Sequence, residues 1–129
     1  MKNIEEDLLS NLVLGCAIKV HTELGPGLLE SAYEACLKYE LTKKGLYVES
    51  QKVLPLIYDG INIDCGFRVD LLVENKLVVE LKAVEALNNI HLAQIITYLK
   101  LSKCKLGLLL NFNVSRLKEG GIKRVANNL

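Results

Sequence analysis

The chain has 129 residues, 50% of them hydrophobic and 24% charged, with a formal net charge of +1. This suits one globular domain, 1–129, with one core, and no apolar run approaches the roughly 20 residues of a membrane span. Residues 1–7 are acidic where a secretory signal would be basic, and the near-neutral total argues against tight autonomous grip on a duplex, though not against a local basic patch.

Taken in chain order, residues 5–22 predict a helix, because Leu8, Leu9, Leu12, Val13, Cys16, Ala17 and Val20 recur at helical spacing. Leu24-Gly-Pro-Gly27 breaks it. A second helix is expected over 28–44, stopped by Gly45 at the C-cap. Glu30 and Tyr33 share a face in its first turns. An acid there is favoured by the helix dipole alone, and Tyr33 is equally well explained as a packed aromatic.

From Tyr47 the period changes to that of strands. Residues 53–58 predict a strand, with Pro55 marking an edge or bulge, and Asp59-Gly60 predicts a tight turn. The next strand runs from Ile61 to Val73 with an interruption at Cys65-Gly66. The third covers residues 77–83, which makes a three-stranded antiparallel meander. A helix over 88–102 follows, with Leu92, Ile95, Ile96 and Leu99 as its core stripe and His91, Gln94 and Tyr98 on a neighbouring one. Residues 106–112 form a buried strand in which Gly107 leaves no room for a large neighbour. A helical crossover precedes that strand, so it should lie parallel to a meander strand. The tail carries a turn at Gly120-Gly121 and a short basic strand.

Two acids and a lysine stand out in the meander. Strands alternate their side chains, so Glu80 and Lys82 share one face while Leu77, Val79 and Leu81 take the other. On the preceding strand Phe67, Val69, Leu71 and Val73 form the expected apolar face and Asp70 points the opposite way. If Glu74-Asn75-Lys76 is a three-residue loop, Asp70 lies across from Glu80, about 5 Å away at Cβ. Two carboxylates so placed repel unless a cation separates them, and an all-oxygen pair favours Mg²⁺ or Mn²⁺. The alternative is a pair of solvated acids with an ordinary Glu80–Lys82 ion pair. Burial of the strand on both faces weighs towards a partnered site. Cys16, Cys36, Cys65 and Cys104 are scattered, with no C-x-x-C pair and only two histidines. They therefore read as reduced residues of a cytoplasmic protein rather than as a zinc or disulfide framework.

The order helix, meander, helix, strand, with Asp70 followed by Glu80-x-Lys82, resembles the PD-(D/E)XK nuclease superfamily. Gly27-Leu-Leu-Glu30-Ser-Ala-Tyr33 is similar to the motif that names the GxxExxY group of bacteria and archaea within it. Residues 20–27, 93–100, 108–113 and 121–124 are similar to the same group. The resemblance implies an α/β fold with a restriction-endonuclease-like core: a central mixed sheet, three antiparallel strands plus a crossover strand, flanked by helices. It implies a Mg²⁺- or Mn²⁺-dependent phosphodiester hydrolase acting on nucleic acid, DNA in preference to RNA. Asp70 and Glu80 would bind metal, with Glu30 completing the site as in the RecB-like branch. Lys82 would orient the attacking water, and Gln94 and Tyr98 match that branch's glutamine-x-x-x-tyrosine helix. Val69 stands where the superfamily's name has proline. The competing expectations are a nuclease-like binding or regulatory module that does not cut, and a structural homodimer formed through the apolar first helix.

Overall fold

The computed structural model describes residues 4–127. Helix α1 (Glu6–Leu24) carries Glu6 and Asp7 in its first turn, where carboxylates meet the positive end of the helix dipole. It stops at Gly25, which takes a positive φ of 70° and donates its N–H to His21 O. Helix α2 (Glu30–Lys43) folds back against it. Glu40, buried between the two, accepts Lys19 Nζ at 2.8 Å and Lys43 Nζ at 3.0 Å.

Five strands build the central sheet: β1 (Val48–Val53), β4 (Arg68–Val73), β5 (Leu77–Lys82), β6 (Leu106–Asn111) and β7 (Ile122–Ala126), in the order β1-β4-β5-β6-β7. Strands β1, β4 and β5 are the antiparallel meander. Strand β6 runs parallel to β5, reached through helix α3 (Asn89–Ser102) as the crossover rule requires. The basic strand expected in the tail is β7, and it joins the sheet antiparallel to β6 as a fifth member.

The first meander strand lies earlier than the sequence pattern suggests. It ends at Val53 rather than beginning there, because Leu54 N–H makes the last link to Phe67 O and Pro55 has no N–H to continue. Strands β2 (Leu56–Tyr58) and β3 (Ile61–Ile63) then pair only with each other. Their turn, Asp59-Gly60, has φ of 53° and 74°, the doubly left-handed geometry that suits a two-residue hairpin.

Apolar clusters cover both faces of the sheet. On one, Leu9, Val13, Val20, Tyr33, Leu37 and Leu41 of α1 and α2 pack on Leu71, Val73, Leu77, Val79, Leu81 and Phe112. On the other, Ile95, Tyr98 and Leu99 of α3 pack on Val69, Leu72, Val78 and Leu109. Phe67 and Val69 therefore belong to the α3 side, while Leu71 and Val73 belong to the α1–α2 side. The single apolar face expected for these four residues is divided at Asp70, for a reason that lies in the ladder described below. No helix among the described residues is long and apolar enough to cross a membrane.

Helix α3 is capped by Asn88, whose side chain accepts the N–H groups of Ile90 and His91. His91 Nδ1 returns the favour by accepting Asn88 N–H at 3.1 Å. This reciprocal cap draws His91 away from the stripe it was expected to share with Gln94 and Tyr98.

Strand β6 is buried along its whole length, and α3 packs tightly over Gly107. A Cβ built there meets Ile95 Cδ1 at 3.0 Å and Leu99 Cδ2 at 3.2 Å. Gly107→Val should therefore lower stability by about 1–3 kcal/mol through overpacking. Urea unfolding would show this as a lower midpoint at unchanged slope, and an unchanged midpoint would contradict the packing.

Candidate active site

Between β4 and β5 the pairing runs Val73↔Leu77, Leu72↔Val78, Leu71↔Val79 and then stops. One step further on, Asp70 comes opposite Glu80. There the backbone ladder gives way to side chains: Asp70 N–H donates to Glu80 Oε2 at 2.7 Å, and Leu81 N–H donates to Asp70 Oδ2 at 2.9 Å. On its other side Asp70 falls opposite Gln51, and the β1–β4 register skips that pair while keeping Ser50↔Leu71 and Lys52↔Val69. Asp70 thus sits where both of its ladders are interrupted, which frees β4 to switch faces.

The other expected residues gather around this break. Glu30, the first residue of α2, accepts Ala83 N–H on Oε2 at 3.1 Å, just past the end of β5. Lys82 Nζ donates to Gln94 Oε1 at 3.2 Å. Tyr98, one turn on from Gln94 in α3, is buried, and its ring lies edge-on to Phe67 with centroids 6.1 Å apart. Tyr33 has a different role. Fully buried and stacked on Phe112 at 4.5 Å, it donates its hydroxyl to Gly25 O at 2.6 Å and accepts Leu28 N–H at 3.1 Å. Of the Gly27…Glu30…Tyr33 motif, then, the tyrosine fixes the loop that delivers the glutamate to the sheet.

Two residues of this neighbourhood were not singled out from the sequence. Gln51 Nε2 donates to Glu34 Oε1 at 2.8 Å and to Asp70 Oδ1 at 3.2 Å. Glu34 stands one helical turn beyond Glu30, so the i,i+4 spacing was available as a signal. Nothing in the local sequence marks Gln51, because its approach to Glu34 spans 17 positions and exists only in three dimensions.

A model of the PD-(D/E)XK nuclease superfamily matches residues 7–125. The chain belongs to that superfamily. No curated protein and no solved structure shows a significant match to it. In this PD-(D/E)XK chain Val69-Asp70 lies on β4 and Glu80-Leu81-Lys82 on β5, at the ladder break.

Burial and like charge set the electrostatics. Glu80 is 3% exposed, and desolvation, then the charge of Asp70, pushes its carboxyl from an ordinary 4.5 up to about 8. Asp70 is raised as well, chiefly by burial, against the hydrogen bonds from Leu81 and Gln51. Burial first and Asp70 second raise Glu34. Tyr98 is raised by its own burial and by the charges of Glu80 and Asp70.

PD-(D/E)XK nucleases generally use divalent metals, and these donors fit one. They are carboxylate oxygens, and the charge of Asp70 destabilises charged Glu80 while that of Glu30 destabilises charged Asp70, a conflict a cation removes. No group of three or more His, Cys, Asp or Glu among the described residues makes a ready ligand cage. Mg²⁺ does not require one, because it is commonly held by one or two carboxylates and keeps several waters.

A carboxyl whose pKa rises on folding binds its proton more tightly in the folded chain. Its contribution is fully present below the unfolded value and is lost as pH rises towards the folded one. In metal-free buffer, stability should fall between about pH 4.5 and about pH 8, with a slope of up to about 1.4 kcal/mol per pH unit. Glu80→Gln should flatten that slope and raise the melting temperature at pH 8, as measured by thermal unfolding across the range. Identical pH profiles for the two proteins would contradict the burial of this carboxyl.

Proposed function

We propose that this chain is a metal-dependent nuclease that hydrolyses phosphodiester bonds of nucleic acid, DNA in preference to RNA. The observation that carries the proposal is the pairing at a break in the sheet of half-buried Asp70, which donates its N–H to Glu80 and accepts Leu81 N–H, with buried Glu80, with Lys82 two residues on and Glu30 brought to the end of the same strand. We place it in the GxxExxY group and the RecB-like branch on Gly27, Glu30 and Tyr33 and on the Gln94–Tyr98 pair of α3. All four cysteines are free thiols, which suits the reducing cytoplasm.

Asp70 and Glu80 would hold Mg²⁺ or Mn²⁺, with Glu30 joining them. A bound ion supplies Lewis-acid stabilisation of charge on the phosphate and a hydroxide nucleophile near neutral pH. Lys82 orients the attacking water and offsets charge that builds on the phosphate. Gln94 holds the Lys82 ammonium in place, so helix α3 sets the lysine's direction, and Tyr98 stands one turn on from Gln94 to meet the substrate. The buried walls around Glu80 keep bulk water from screening these charges.

Asp70→Ala and Lys82→Ala should each reduce Mg²⁺-dependent cleavage of DNA by about 10²-fold or more with an unchanged circular dichroism spectrum. Cleavage at the parent rate by both purified variants would overturn the proposal. Calorimetry with Mn²⁺ separates the alternative, since a nuclease-like binding module would show neither metal uptake nor cleavage.

A further inference from the structure

Five residues other than glycine have positive φ among the described residues: Gln51, Asp59, Glu74, Asn75 and Lys103. Four of them have a local reason. Asp59 is in the β2–β3 turn, Glu74 and Asn75 form the β4–β5 loop, and Lys103 caps α3. Gln51, at φ 53°, lies inside strand β1. A bulge does not account for it, because the β1–β4 register is the same on either side, Ser50↔Leu71 and Lys52↔Val69. Nor does packing force it, because the residue is exposed. A long side chain rarely takes this backbone region, and such strain persists where surrounding structure over-determines it, most often at functional sites.

The strain has a visible product. It turns the Gln51 carboxamide so that its NH₂ group reaches two acids from different layers, Glu34 of α2 at 2.8 Å and Asp70 of β4 at 3.2 Å. An amide nitrogen has two hydrogens, so it can serve both acceptors at once. Across the sheet, Asp70 in turn accepts Leu81 N–H and donates its own N–H to Glu80. Gln51 therefore holds the outer oxygen of Asp70 while Leu81 holds the inner one, which fixes the plane of the carboxylate.

We propose that Gln51 is a positioning residue for the Asp70–Glu80 site: its left-handed backbone is kept so that its amide can lock the Asp70 carboxylate and tie it to Glu34 on helix α2. The role assigned to Gln51 rests on the nuclease reading above and adds Glu34 and Gln51 to the site as its outer support. Groups that orient a metal-binding carboxylate in this way matter nearly as much as the carboxylate itself, at about 10–100-fold in metal affinity or activity.

Two substitutions separate positioning from plain structure. Glycine accepts a positive φ without steric cost, so Gln51→Gly removes the amide and the strain together, the strain relief offsetting glycine's extra chain entropy. Asparagine tolerates the left-handed region better than glutamine but is one methylene too short to span Glu34 and Asp70, so Gln51→Asn keeps an amide and loses its reach. Both variants should melt no lower than the parent in metal-free buffer. Both should need about 10-fold more Mn²⁺, or more, for half-maximal DNA cleavage, with the same shift in Mn²⁺ affinity by titration calorimetry. A clear drop in melting temperature for Gln51→Gly would mean that the residue serves the fold, and would overturn the proposal. So would parent-like Mn²⁺ midpoints for either variant when the parent protein is active. A parent protein that neither binds Mn²⁺ nor cuts would instead bring down the nuclease reading, and the role of Gln51 with it.

Discussion

The exchange of two backbone hydrogen bonds for side-chain ones, between Asp70 and Glu80, is the interaction on which the rest of this structure turns. An antiparallel pair would ordinarily continue its ladder through these positions. Here Asp70 N–H is satisfied by the Glu80 carboxylate and Leu81 N–H by the Asp70 carboxylate, so the ladder can stop with these donors paired. Charge-assisted hydrogen bonds return about 1.5–3 kcal/mol each. Burial first, and the charge of Asp70 second, work against these bonds and raise the proton affinity of Glu80.

The same break shapes the sheet around it. Because β4 leaves its ladder at Asp70, Phe67 and Val69 turn to α3 while Leu71 and Val73 turn to α1 and α2. Residues from both helical layers can then approach one point. Glu30 and Glu34 come from α2, and Gln94 with Tyr98 from α3, linked to the sheet through Ala83, Gln51 and Lys82. A strand that kept strict alternation would have presented Asp70 to one layer only.

Scaffold and site are divided cleanly along the second helix. Its inward residues Tyr33, Leu37 and Leu41 are fully buried, and Tyr33 closes the Gly25–Leu28 loop with two hydrogen bonds. Its residues facing the acids are Glu30 and Glu34. The stack of Tyr33 on Phe112, whose N–H is bonded to Lys82 O, couples this helix to the end of β5. The position of Glu30 therefore depends on aromatic packing several residues away from any charge.

By itself the sequence determined the helices, the last two strands of the meander from Arg68 on, the parallel crossover and the placing of Asp70 against Glu80. Each of these follows from short-range periods and from the length of one loop. It also held the Glu30–Glu34 spacing, which is legible as an i,i+4 pair once a helix is assigned. Only the tertiary structure decided the start of β1, the separate β2–β3 hairpin, the entry of β7 into the sheet, the capping role of His91 and the approach of Gln51 to Glu34 and Asp70. Most of these depend on which distant backbone groups find partners, and a pattern confined to neighbouring residues does not contain that choice. Alternation along β4 misleads for the same reason, because it holds only while the ladder is continuous, and the ladder is interrupted by side chains from the next strand.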